Sequence, residues 1–143
     1  PMLSPTERHA IVAECQAIVT AFSVHADLGE LEQCAALFTE DGQFERRGEM
    51  LTGRPAILAA LRARPPLLHA RHHCLPPHVT IRDADSADGI TYFTIYRHEG
   101  ALAAGTPAPL TGPASIGEFH DRFVRTPEGW RLRLRTTQVA FRR

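Results

Sequence analysis

A segregated α+β fold is predicted by three observations. Every helical signal of the 143-residue chain lies before residue 65, five β-branched or aromatic runs follow residue 67, and no helical segment separates those runs. Strands and helices would have to alternate in a doubly wound parallel sheet, and here they do not. With 43% hydrophobic residues, the length suits one domain over residues 1–143 with one core.

The first helix is announced by Ser4-Pro5-Thr6-Glu7, which supplies an N-cap hydroxyl, a proline at the first helical position and a glutamate that reaches back to the cap. Ile11, Cys15, Ile18, Phe22 and His25 then recur every three or four residues, predicting a helix to about Ala26 that stops before Gly29. Leu31, Cys34, Ala35 and Phe38 predict a short second helix, and Asp41-Gly42 a turn into a strand at Gln43-Phe44-Glu45. Thr52 or Gly53 caps a third helix carrying Ile57, Leu58 and Leu61, which must end before Pro65-Pro66. Strands are expected at 68–75, 79–82, 90–98, 115–125 and 130–141, with a hairpin across Thr126-Pro127-Glu128-Gly129. Three glycines and three prolines mark Gly100 to Pro113 as a surface loop.

Composition narrows the function classes. Sixteen basic residues balance sixteen acidic ones and the pI is about 7.5, so the field is too weak for a nucleic-acid groove or an anionic membrane surface. All sixteen basic residues are arginines, which excludes Schiff-base lysine chemistry and the phosphate-binding Gly-Lys-Ser/Thr loop. Cys15, Cys34 and Cys74 are odd in number and widely spaced, so reduced buried thiols are expected rather than a disulfide framework or a zinc site. No apolar stretch is long enough to span a bilayer and no leader pattern is read, so a soluble, cytoplasmic protein without nucleic-acid or membrane partners is expected.

Eight histidines are many for this length, and five fall between residues 69 and 98. Alternation places His72 with Leu68, Ala70 and Cys74 on one strand face and His73 on the other. An imidazole in an apolar cavity serves as a general base near neutral pH if a carboxylate orients it; otherwise it is a hydrogen-bonded core histidine. Asp27 closes the first helix, where the dipole disfavours a carboxylate, so it either meets a partner such as His72 or an arginine, or caps the segment at Leu31. Arg131, Arg133 and Arg135 alternate with Trp130, Leu132 and Leu134, giving a cationic face that is solvated or offers one arginine to an enolate-like oxygen. Asp121 shares a face with Phe119 and Phe123 and is either paired with Arg125 or poised as a base. Tyr92 and Tyr96 share a face, where a hydroxyl donates to a substrate carbonyl or is merely half-buried. No serine elbow, HExxH or two-histidine-one-carboxylate spacing is present, so neither a metal nor another cofactor is called for.

Phe22-x4-Asp27, Leu37-Phe38-Thr39-Glu40-Asp41-Gly42, Gly53-Arg54-Pro55-Ala56-Ile57, Arg71-His72-His73, Gly117-x-Phe119-x-Asp121 and Gly129-Trp130-Arg131-Leu132-x2-Arg135 follow one another in order. With them the whole chain resembles the SnoaL-like branch of the nuclear transport factor 2-like superfamily, which includes scytalone dehydratase, polyketide cyclases and steroid or bile-acid dehydratases. The resemblance implies a cone-shaped α+β barrel, in which three N-terminal helices pack on a strongly curved, mostly antiparallel sheet around an apolar pocket. It also implies a homodimer formed through the sheet, with Ile81, Phe93 and Ile95 facing outwards. The family's pocket tyrosine, aspartate, histidine and arginine correspond to Phe22, Asp27, His72 and Arg135, so the tyrosine is missing. The asparagine expected four residues after the histidine is replaced by Pro76, and Phe119 stands where a tyrosine is usual.

The expected function is a cofactor-independent dehydratase, isomerase or cyclase that removes a proton beside a carbonyl of a hydrophobic small molecule. Asp27, His72 and Arg135 are its candidate catalytic residues, and Phe22, Tyr92, Tyr96, Phe119 and Asp121 its candidate binding residues. A non-catalytic binding or partner domain, and a structural subunit resembling the β chain of ring-hydroxylating dioxygenases, are the alternatives.

Overall fold

The computed structural model describes residues 2–143. Helix α1 spans Pro5–Asp27 and begins on the capping box read from the sequence: the Glu7 amide donates to Ser4 Oγ at 3.1 Å, and the Ser4 amide to Glu7 Oε2 at 2.7 Å. Its buried stripe runs through Ile11, Cys15, Ile18, Val19, Phe22, Ser23 and Ala26. His25, placed on the stripe by spacing, lies off it and pairs with Glu30.

Helix α2, Leu31–Ala35, is shorter than expected because Phe38 opens strand β1, Phe38–Arg46. Strand β2, Glu49–Thr52, was not anticipated. It returns on β1 through Arg47 and Gly48, both at positive φ (51° and 77°), the geometry of a tight hairpin turn. Asn-Gly or Asp-Gly would have announced that turn; Arg-Gly does not. Helix α3, Arg54–Arg62, starts after Gly53 and buries Ile57 and Leu61. Strands β3 (Leu68–Cys74), β4 (His78–Asp83), β5 (Ser86–Glu99), β6 (Ser115–Thr126) and β7 (Gly129–Arg142) follow, with irregular chain between β5 and β6.

The strands form one open, curved sheet in the order β2-β1-β7-β6-β5-β3, with β4 also paired to β5. All pairings are antiparallel except β1 with β7. The sheet therefore begins earlier in the chain than Leu68, and β1 is drawn in because Phe38 and Phe44 bury fully against the core. Gly42 makes this fit: a Cβ there would lie 3.0 Å from Phe38 Cβ and 3.1 Å from the Leu132 carbonyl, next to an irregularity in the β1–β7 register.

One face of the sheet buries Phe93, Phe119, Phe123 and Leu132; Phe123 and Leu132 join Phe22, Ile57 and Leu61 of the helices in one apolar cluster. Each such ring or branched side chain contributes on the order of 1.5–3 kcal/mol on burial. Phe93 thus faces inwards and Ile81 packs against the core cluster, against the outward positions expected for both; the exposed outer face carries Ile90, Tyr92 and Phe141 instead. Among the described residues, no helix is long and apolar enough to cross a membrane.

Candidate active site

Two carboxylate-centred pairs hang from the inner face, one part-buried and one fully buried. The first joins the last residue of α1 to the middle of β3. Asp27 Oδ2 accepts the His72 backbone N–H at 2.8 Å, while Oδ1 lies 2.6 Å from His72 Nδ1. Because β3 ends the sheet, the backbone of its outer edge needs partners from outside the sheet, and the Asp27 carboxylate supplies one. This explains a carboxylate at a helix C-terminus, and Asp27 caps nothing: the N-cap of α2 is Glu30, without a side-chain bond. A carboxylate only accepts, so Nδ1 carries a proton, and in the neutral imidazole the lone pair then lies on Nε2. The two side chains are 17% and 8% exposed for His72 and Asp27, leaving the imidazole partly open to visitors.

The second pair lies deeper. Arg135 Nε and Nη2 donate to the two Asp121 oxygens, each at 2.8 Å, and both side chains are fully buried. The guanidinium carbon sits 4.4 Å from the Phe22 ring centroid and 4.0 Å from that of Phe119. Simple alternation would have put Arg135 on the same face as Arg131 and Arg133. The register shows why it is not: Phe123 opposes Leu132 but Arg122 opposes Leu134, so Arg133 is an extra residue and the parity of β7 flips after it. Arg133 points out to Asp41, while Leu132 and Arg135, three apart, both point in. The expected Asp121–Arg125 pairing is likewise replaced, since Arg125 binds Asp85 and stacks on Trp130.

A weaker contact lies between the pairs. Ser23 Oγ, one turn before Asp27, is 3.4 Å from Cys74 Sγ, two residues beyond His72. Burial pushes the Cys74 thiol up, and the Cys15 and Cys34 thiols up to about 12, so no thiolate nucleophile is held near the imidazole. Ser23 and Thr91 are buried polar residues that pattern reading passed over. A serine interrupting the apolar stripe of α1 was the available signal for Ser23.

The tyrosines are not brought to this site. Residues 87, 89, 91 and 93 of β5 are buried, so the even-numbered tyrosines fall on the other face: Tyr92 is 61% exposed, and Tyr96 packs its ring 5.3 Å from that of His73. Phe22 and Phe119 are inside, their centroids 6.1 Å apart and edge-to-face. A depression of about 560 Å³ lies over His73, Tyr92, Thr94, Ile116, Glu118 and Phe141, and a second of about 350 Å³ over Gly29 to Gln33 and Arg62; neither is lined by Asp27 or His72. Among the described residues, no three His, Cys, Asp or Glu side chains are grouped to hold a metal ion.

A family model described as a SnoaL-like domain matches residues 7–136. No curated protein matches the sequence significantly. Among solved structures, a variant of Rv3472, a Mycobacterium tuberculosis protein of unknown function, is 25% identical with a TM-score of 0.76, covering 91% of this chain and 76% of its own. A candidate scytalone dehydratase from Novosphingobium aromaticivorans is 17% identical with a TM-score of 0.81, covering 96% and 89%. ActVI-ORFA from Streptomyces coelicolor is 23% identical with a TM-score of 0.74, covering 92% and 98%. The last two likenesses speak for the fold alone.

Proposed function

We propose, from the premise that this chain belongs to the SnoaL-like domain family, that it is a cofactor-independent lyase or isomerase acting beside a carbonyl of a hydrophobic small molecule. The observation that carries this reading is the two-point hold of Asp27 on His72, through the backbone N–H and Nδ1 together. That hold sets both the tautomer and the direction of the ring, which is what a general base requires.

In the proposed reaction, Nε2 takes the proton α to the carbonyl and the C–H electrons move onto the carbonyl oxygen. Arg135 Nη1, the nitrogen of that guanidinium left without a partner, donates to the enolate oxygen. The enolate then expels a β-hydroxyl, which leaves as water with the proton returned from Nε2, and an enone remains. A non-catalytic binding domain is the second reading. It is favoured by Phe22 and Phe119 closing the interior where the family carries hydroxyls.

Dehydration of an aryl β-hydroxyketone, followed by the ultraviolet absorbance of the conjugated enone, tests the reading. His72→Ala and Asp27→Asn should each lower turnover about a hundredfold with the fold retained, whereas His73→Ala, whose side chain packs on Tyr96, should leave it nearly unchanged. Equal small effects of both histidine substitutions would refute the mechanism and favour the binding domain.

A further inference from the structure

Two of the three guanidinium nitrogens of Arg135 are engaged by Asp121. The Nε–Nη2 edge, the fork that matches a carboxylate, is thereby already filled, and the rings of Phe22 and Phe119, 6.1 Å apart, lie on adjacent sides of the guanidinium with their centroids 4.4 and 4.0 Å from its central carbon. Only Nη1 is left, fully buried and without an acceptor. Buried donors are almost always paired, so this one points to a group the interior is built to receive. Of the other buried polar atoms without a partner among the described residues, Thr91 Oγ1, His120 Nε2 and Arg131 Nε, the first lies on the same face. Thr91 is opposite Phe119, and Phe119 is the next inward residue to Asp121 on β6, so the two orphaned groups occupy neighbouring rungs.

The charges of the interior decide what that group can be. Asp121 cancels Arg135. Asp27 faces a His72 that is neutral as a base, and the chain has no lysine to add a positive charge. Arg46 and Arg64 are directed to the carbonyls of Ala60 and Ala26. An anionic ligand would therefore meet two carboxylates and one cancelled guanidinium.

We propose that Asp121 determines the charge of the ligand: by occupying the fork of Arg135, it leaves Nη1 to hold one acceptor oxygen of an uncharged ketone or hydroxyketone and turns carboxylates away. This rests on the proposed function and names its substrate class. The carbonyl oxygen lies at the deep end, toward Arg135, and the reacting carbon toward the more exposed His72. Entry requires a phenyl ring of Phe22 or Phe119 to move, since both are 3% exposed.

An isosteric pair of probes tests this: β-naphthyl methyl ketone, neutral, and β-naphthoate, anionic, each titrated by calorimetry. The wild-type protein should bind the ketone at least tenfold more tightly. Asp121→Asn, which removes the cancelling charge and one of the two acceptors of the fork, should reverse the preference by a similar factor. Should that variant fail to fold, Arg135→Met/Asp121→Leu carries no buried charge and serves instead; it should bind the ketone about tenfold more weakly than wild type and gain nothing for naphthoate. Naphthoate binding as tightly as the ketone in the wild type, or binding of neither, overturns the proposal. So does unchanged ketone affinity in the double variant. The readout is binding, so a protein that holds the ketone but eliminates no water would lose the proposed reaction and keep this inference.

Discussion

Replacing Arg135 with methionine isolates the largest single electrostatic commitment of the fold. Methionine keeps most of the apolar stem, so the loss is chiefly that of the guanidinium with its contacts to the Phe22 and Phe119 rings. What remains is the Asp121 carboxylate, side chain fully buried, stripped of two charge-assisted bonds of 2.8 Å. Breaking a buried pair in this way costs about 3–5 kcal/mol, a large share of the roughly 5–15 kcal/mol by which such domains are stable. For a chain near 150 residues, each kcal/mol moves the melting temperature by about 2–4 °C, so a drop on the order of 10 °C is expected. The double variant Arg135→Met/Asp121→Leu removes the stranded charge and should recover most of the loss, giving a coupling energy of at least ~2 kcal/mol. Urea unfolding of wild type, Arg135→Met, Asp121→Leu and the double variant, followed by circular dichroism, supplies all sides of the cycle. A single variant within about 1 kcal/mol of wild type, or a double variant no more stable than the single one, would refute the reasoning.

Two further outcomes follow from the geometry. Because burial holds the Cys15 and Cys34 thiols up to about 12, both should stay protonated and unreactive toward a disulfide reagent at pH 8 in the native protein, and all three cysteines should react on unfolding; rapid native reaction of two thiols would contradict their burial. If the chain pairs with a second copy through its outer sheet face, light scattering should give twice its mass of 15.8 kDa, and Tyr92→Glu, a charge placed on the exposed patch with Ile90 and Phe141, should return it to the monomer.

Much of the fold was legible because it is written in local chemistry. The Ser4–Glu7 box, the stripe of α1, Gly53 before α3 and the alternating runs after residue 67 each carry their structure in a few neighbouring residues. The meeting of Asp27 and His72 was implied by the family resemblance, whereas local chemistry by itself left Asp27 either a partner or a capping role. What tertiary structure alone decided is which face turns inwards. Period-2 patterning groups Tyr92 with Tyr96 correctly but is silent on whether the group faces core or solvent, and the burial of Thr91 and Phe93 settled it. Arg135 makes the same point more sharply. An extra residue at Arg133 reverses the parity of β7, and nothing in Arg131-Leu132-Arg133-Leu134-Arg135 marks it, because a bulge arises from how two strands register and not from either strand alone. That long-range fit, not local preference, buried an arginine against Asp121.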